Sequence, residues 1–283
     1  MNEFINRINS CNENLTKTQR IVSQFYSSNL DSAAFYNLEE AAAKAGVSTT
    51  TVIRFARSLG FNGFSEMQRE IQHTLINKVR LPERLTKLGA NLSGESSLLS
   101  RSMRIDLENI TKTFAGIDHG TIDMVCDRIV SAETVYVLGL RSSFSLAHYL
   151  TSRLAQIRPK VRIIEASGML FPEDFGGCSE KDLCVAFLFP RFSKTTSNLL
   201  LWIKKQKVPV VLFTSTHYES LSRYGDIFIP CHIESASYKN SFVAPVALIN
   251  FISAEIATKN SACAEDTMKK TEEFLNMGYY LGL

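Results

Sequence analysis

From about residue 121 onward, short apolar runs alternate with segments of helical periodicity, and few folds accept that alternation. Residues 134–138 (TVYVL) precede a helical 143–156, and 161–164 (VRII) form a second run. A third run, 183–189 (LCVAFLF), precedes a helical 195–206; the fourth is 209–213 (PVVLF) and the fifth 227–229 (IFI). Runs this apolar and β-branched suit parallel strands covered on both faces. Their alternation with helices predicts a βαβ sheet, five parallel strands flanked by helices.

Residues 1–78 have another texture, helical in pattern and free of proline. Ile21, Val22 and Phe25 recur at helical spacing after the start signal at Thr16–Gln19. Leu38, Ala41, Ala42 and Ala45 mark a second helix, Val52, Ile53, Ala56 and Leu59 a third, and Phe64, Met67, Ile71 and Leu75 a fourth. Between the two textures, 79–120 carry Pro82, Gly89 and a polar run at 91–97, then turn helical from Leu98 to Phe114. The expected organisation is a helical domain over 1–78, a linker and connecting helix over 79–120, and an α/β domain over 121–283.

The 283 residues are enough for two domains, and 45% hydrophobic with 21% charged residues fits an ordinary globular chain. The net charge of +3 does not announce a nucleic-acid partner, so DNA binding has to come from a local cluster of charge. The polar start lacks the apolar core of a secretory leader, and no stretch approaches the roughly 18 apolar residues of a membrane helix. The six cysteines, Cys11, Cys126, Cys178, Cys184, Cys231 and Cys263, show no C-x-x-C spacing. They read as buried free thiols in a reducing cytoplasm, with no metal and no cofactor implied.

Residues 38–59 (LEEAAAKAGVSTTTVIRFARSLG read onward to Gly60) fit a helix-turn-helix. Ala42 is small where two helices approach. Gly46 can take the left-handed conformation that ends the first helix. Ser48 can cap the second, and Val52 or Ile53 anchors it. The second helix then presents Thr49, Thr50, Thr51, Arg54 and Arg57 outward, and Ser48 at its start and Lys44 on the first helix complete the candidate DNA contacts. Hydroxyls near a helix start suit phosphate or base-edge contacts; Arg54 can reach a guanine edge or a phosphate, and Arg57 a phosphate. A small bundle with a solvated polar face has the same pattern, but three consecutive threonines are a poor choice for an indifferent helix surface.

Two loops of the α/β region place hydroxyls between a strand and a helix. One is Gly139-Leu140-Arg141-Ser142-Ser143; the other is Arg191-Phe192-Ser193-Lys194-Thr195-Thr196. Loops at the carboxyl ends of parallel strands, opening helices, are where open α/β sheets hold anions. Plain helix capping is the better explanation of one such loop alone, and two of them after two strands bring the readings level.

These segments together resemble the RpiR/MurR family of bacterial regulators, which join an N-terminal helix-turn-helix to a C-terminal sugar isomerase (SIS) domain. The resemblance spans nearly the whole chain. It rests on 38–48 (LEEAAAKAGVS), 51–55 (TVIRF) and 59–65 (LGFNGFS). In the second domain it rests on 137–143 (VLGLRSS), 189–196 (FPRFSKTT), 213–215 (FTS), Asp226 and Ile227. The family's phosphosugar loop is commonly Ser-x-Ser-Gly-x-Thr. Here Ser193 and Thr196 match, Arg191 replaces the first Ser, Lys194 replaces Gly, and Arg141 stands where a second Gly is usual in the other loop. The two cations either strengthen binding to a phosphate or carboxylate, or fill the pocket.

The resemblance implies a cytoplasmic regulator of carbohydrate metabolism that binds double-stranded operator DNA as a homodimer or homotetramer. Its effector would be a phosphorylated sugar or related anion held by Ser142, Ser143, Arg191, Ser193, Lys194, Thr195 and Thr196. In related isomerases a glutamate after the last strand acts as base, and Glu234 lies near that position; the likeness to regulators implies binding without turnover. His148, His217 and His232 read as packing or surface residues. The alternatives are a sugar-phosphate isomerase with an accessory N-terminal domain, or a regulator whose SIS domain only oligomerises. The apolar segments 242–256 and 274–283 are offered as interface surface.

Overall fold

In a computed structural model of the chain, the described residues are 3–11, 15–33, 36–78, 85, 97–165, 173–216 and 219–277. The expected linker features Pro82, Gly89 and 91–96 lie outside them, as do His217 and residues 278–283. Contacts divide the chain into two compact units.

The first unit contains α1 (Glu3–Cys11), α2 (Lys17–Ala33), α3 (Leu38–Ala45), α4 (Thr49–Ser58) and α5 (Phe64–Lys78). The sequence reading places no helix where α1 stands. Phe4 and Ile8, one turn apart on its buried face, enter the core formed by Val22, Tyr26, Phe55, Met67 and Ile71. Tyr26 stacks on Phe55 and meets Phe4 edge-on, each with ring centroids 6.0 Å apart. On α2 the expected apolar face is one residue out of phase: Val22 and Tyr26 are buried, while Ile21 is 49% exposed.

In the second unit come α6 (Leu98–Gly116), α7 (His119–Ser131), β1 (Val135–Gly139), α8 (Phe144–Ala155), β2 (Val161–Ile164), β3 (Leu183–Phe187) and α9 (Lys194–Lys205). There follow β4 (Val210–Ser215), β5 (Ile227–Cys231), α10 (Val243–Lys259) and α11 (Ser261–Asn276). The strands form one parallel sheet in the order β2-β1-β3-β4-β5. β1 and β3 are buried at every position, whereas the edge strands β2 and β5 are only partly so.

Side chains alternate across the sheet. Val135, Val137, Val185, Phe187, Val211 and Phe213 face α7, α8 and α10. On the other face Tyr136 stacks on Phe175, which meets Trp202 of α9 edge-on. The helices therefore cover both faces, as fully apolar strands require. The 242–256 segment offered as interface is largely core: Leu248, Ile249, Ile252 and Ile256 are buried in the unit's own cluster, and Val243 and Phe251 remain exposed. In the other offered segment, Phe274 and Met277 are exposed.

Candidate functional site

The turn between α3 and α4 is built by local chemistry. Asn37 opens α3 with a capping box: its side chain accepts from the Glu40 N–H, and the Glu40 carboxylate accepts from the Asn37 N–H, each at 2.8 Å. Gly46 ends α3 in the left-handed region, at φ 68°. There a side chain bearing Cβ is strained. Ser48 caps α4, its hydroxyl accepting from the Thr51 N–H at 3.2 Å and lying 2.9 Å from the Thr51 hydroxyl. Ala42 is buried, as close helix approach requires, and α4 is anchored by Val52, Phe55 and Ala56.

The expected DNA-reading residues divide accordingly. Thr50, Arg54, Arg57 and Lys44 are exposed, and Thr49 is half-buried. The Ser48 and Thr51 hydroxyls face each other and the helix start, so their first role is to close α4. Arg57 Nε reaches the Asn62 carbonyl at 3.5 Å, and Lys44 Nζ sits 5.5 Å from the Tyr36 ring centroid. α4 carries no acidic residue.

In the second unit β1 and β3 are neighbours, and their last residues pair, Gly139 with Phe187. The chain leaves β1 for β2 on one side and reaches β3, β4 and β5 on the other, so the order reverses between β1 and β3. That reversal is the topological switch point, where open α/β sheets bind ligands outside the carboxyl ends of the strands. Both expected loops emerge there. A Cβ on Gly139 would lie 2.5 Å from the Ser143 carbonyl oxygen, so only glycine lets the start of α8 pass this close to β1. Arg141 follows at φ 59°, and Arg191 in the second loop at φ 70°, both left-handed.

The second loop is tied down from several sides. The Thr214 hydroxyl donates to the Leu188 carbonyl at 2.6 Å, the Asn240 amide donates to the Pro190 carbonyl at 3.5 Å, and Phe189 packs on Phe242 at 5.2 Å. Sequence reasoning gave Thr214, inside the 213–215 match, and Phe242, at the start of an offered interface segment, no role at this loop and did not single out Asn240, because these roles exist only once distant segments meet. Ser193 caps α9, accepting from the Thr196 N–H at 3.3 Å, and Thr196 is buried. Ser142, Arg141, Arg191, Lys194 and Thr195 are exposed, while Ser143 is buried and makes no side-chain cap bond. Glu234 is exposed after β5, with Oε2 3.7 Å from His232 Nδ1.

The opposite end of the sheet has a cleft of about 480 Å³ lined by Arg128, Leu183, Lys204, Lys207 and Asp226. Asp226 is occupied there, pairing with Lys204 and accepting from the Val210 N–H at 2.9 Å. α7, α8 and α9 terminate at this end, where the chain enters β1, β2 and β4.

Three of the six cysteines, Cys126, Cys184 and Cys231, are the buried free thiols expected; Cys11, Cys178 and Cys263 are half-buried. Burial pushes Cys126 up to about 11 and raises Cys184 and Cys231 further. Among the described residues no helix is long and apolar enough to cross a membrane.

Comparison with known proteins bears on both units. Residues 2–78 match the helix-turn-helix domain of the rpiR family, and residues 128–253 match the SIS domain. The HTH-type transcriptional regulator HexR of Escherichia coli K12 is 21% identical over 277 residues, covering 96% of this chain and 94% of the relative. An uncharacterized HTH-type transcriptional regulator of Providencia stuartii is 20% identical over 231 residues, 82% of this chain and 81% of its own. Among solved structures, Vibrio vulnificus NanR complexed with ManNAc-6P has a TM-score of 0.70 at 19% identity, covering 99% of this chain and all of that one. The sugar isomerase domain of the RpiR transcription factor from Sphaerobacter thermophilus has a TM-score of 0.59 at 20% identity, over 63% of this chain and 99% of that one. The structural likeness is one of fold, and with the two domain matches in this order the chain belongs to the RpiR family of helix-turn-helix transcriptional regulators carrying a SIS domain.

Proposed function

We propose that this regulator reads operator DNA with α4 and releases or engages it in response to a phosphorylated sugar, or a related anion, bound where β1 and β3 end. The observation that carries the reading is the pairing of Gly139 with Phe187: it brings two hydroxyl-bearing loops, each opening a helix of twelve residues, side by side at the switch point. Ser142, Ser143, Ser193 and Thr195 would face the phosphate with the first-turn amides of α8 and α9. Thr196, being buried, shapes the loop. The fold-level neighbour NanR was solved with ManNAc-6P, which supports a phosphosugar for this chain.

α4 would enter the major groove with Thr49, Thr50, Arg54 and Arg57, and Lys44 would contact the backbone. One helix-turn-helix per chain favours a homodimer or homotetramer on a two-fold operator, in the cytoplasm where the DNA is. Binding without turnover fits relatives named as transcriptional regulators. Fluorescence anisotropy of the full chain on DNA from its own promoter, titrated with a panel of hexose and pentose phosphates, tests the reading. The expected result is a shift in operator affinity with at least one of them. If operator binding is intact and no phosphosugar alters it or raises the melting temperature, sensing at this site is wrong.

A further inference from the structure

We propose that the DNA interface extends beyond the helix-turn-helix onto α1, where Arg7 makes a backbone phosphate contact of its own beside that of Arg57; this rests on the reading of α4 as the DNA-reading helix. The turn after α4 carries the argument. Gly60, at φ 87°, reverses the chain. The Gly60 N–H donates to the Arg57 carbonyl at 3.0 Å, and the Phe61 N–H to the Ala56 carbonyl at 3.1 Å. These two bonds are the pair that closes a helix on a left-handed glycine, so Phe61 is fixed to the end of α4.

α1 in turn holds Phe61. The ring lies 6.3 Å from the Phe4 ring and 5.1 Å from the Arg7 guanidinium carbon. Phe4 and Arg7 are three residues apart and therefore neighbours on one side of the helix. Phe4 is fully buried and Arg7 is exposed, so one docks α1 in the core and the other lies over the outer part of the ring. At the next residue, Arg57 Nε reaches the Asn62 carbonyl at 3.5 Å. Two exposed arginines from different helices thus border one short turn.

The charges at this turn suit an anion. The Arg7 guanidinium makes no ion pair or hydrogen bond with another described residue. Glu66, the carboxylate bonded to the turn, is taken up by the start of α5, accepting from the Asn62 N–H and from its side-chain amide, both at 2.7 Å. A guanidinium resting on a ring is already oriented and keeps N–H donors for a phosphate oxygen. The turn lies past the carboxyl end of α4, beyond Thr49, Thr50 and Arg54, which would meet the base edges. A cation there meets the sugar-phosphate strand and strengthens binding without reading sequence.

The test is fluorescence anisotropy of the full chain on promoter DNA and on a scrambled duplex of equal length, each at several salt concentrations. Arg7→Met keeps a long stem over Phe61 and removes the charge, so circular dichroism melting should match the wild type. We expect it to weaken both duplexes alike and to lower the slope of log affinity against log salt by about one per bound chain. Arg7→Lys should keep the slope, and Arg7→Met with Arg57→Ala should lose about two per bound chain. Ethylation interference on promoter DNA should lose one phosphate per bound chain in Arg7→Met. Should Arg7→Met melt early, Arg7→Gln is the neutral variant read in the same way. Wild-type affinity and slope in the neutral variant overturn the contact. Weaker binding at an unchanged slope also overturns it, because lost packing on Phe61 alone would give that result. A loss confined to promoter DNA marks base reading and overturns the phosphate assignment. If Arg54→Ala and Arg57→Ala both bind as the wild type does, α4 is not the reading helix and the proposal falls with it. A silent Arg7 variant beside impaired Arg54→Ala and Arg57→Ala ends the α1 contact and leaves the reading of α4 standing.

Discussion

Asn109 on α6 donates its side-chain amide to the backbone carbonyl of Glu234, 2.7 Å away and 125 residues further along the chain. One turn on, Thr113 accepts from the His232 N–H at 2.9 Å; one turn back, Asp106 accepts from the Ser241 hydroxyl at 2.6 Å. The three positions share one face of the helix. α6 is thus turned with polar residues inward: Asn109 and Thr113 are its buried residues, while Leu99, Met103, Leu107 and Phe114 are exposed. It clamps the segment that runs from β5 to α10 at the carboxyl end of the sheet.

Breaking that clamp should destabilise the second unit and alter effector response. Asn109→Leu keeps the branched skeleton but removes the donor to the part-buried Glu234 carbonyl, a loss of about 0.5–1.5 kcal/mol. Urea unfolding should show an earlier midpoint, and the proposed effector should act at a shifted concentration, with operator affinity in its absence unchanged. A wild-type midpoint would show that the hydrogen bond contributes nothing to the unit.

DNA contacts separate by their dependence on sequence and salt. The Arg54 side chain is exposed and makes no hydrogen bond or ion pair with a described residue. If it pairs with a guanine edge, Arg54→Ala weakens specific binding by about 1–3 kcal/mol and relaxes preference at one base pair. Arg57, held beside Asn62, suits a phosphate: Arg57→Ala should weaken binding to all sequences alike and reduce the salt slope by about one. Gel-shift titrations on operator and scrambled DNA at several salt concentrations distinguish the two; a base preference that survives Arg54→Ala removes that residue from the readout.

β1, β3 and β4 were legible in the sequence because they are apolar on both faces; the edge strand β2 begins and ends where the pattern places it, and the others move by one or two residues. The turn at Gly46 and the cap at Ser48 were legible because each depends on a residue's own backbone chemistry. α1 was not: nine residues with Phe4 and Ile8 as their buried anchors make too short a pattern, and the helix depends on the core it joins. Asn109 and Thr113 were hidden for the opposite reason, since polar residues on a helix read as its solvent face. Thr196 reads as a ligand contact, but Ser193 turns it inward when it caps α9.

Gly139 is expected to tolerate no side chain. In Gly139→Ala the new methyl would stand 2.5 Å from a backbone oxygen and 3.0 Å from the Ala147 Cβ, neither of which can swing aside. Overpacking of this kind costs about 1–3 kcal/mol, and relief requires α8 to move away from β1, spreading the proposed effector site. Thermal melting should fall and effector binding should weaken more than stability alone explains. Wild-type binding in a folded Gly139→Ala protein would mean that the first loop does not touch the ligand.

The buried thiols make stability fall in alkali. Burial is the main cause that raises Cys126, from an ordinary 9.0 to about 11, with nearby Glu255, Asp123 and Asp127 adding to it and Lys259 opposing it. Burial also lifts Cys184 and Cys231. A thiol whose folded value is raised is protonated in both states below 9, so it adds no pH dependence there. Above 9 the unfolded chain ionises first, and stability drains away as pH rises toward 11. Urea midpoints measured from pH 7 to 10.5 should hold to about pH 9 and then decline. The decline should be shallower in Cys126→Ala, a comparison that cancels the contribution of lysines and tyrosines. Dithionitrobenzoate at pH 8 supplies a second readout: Cys11, Cys178 and Cys263 should react in the native protein, with Cys178 slowed because burial raises it too, and the other three only on unfolding. Rapid labelling of all six thiols in the folded chain would mean that the core around β1, β3 and β5 opens far more readily than its packing implies.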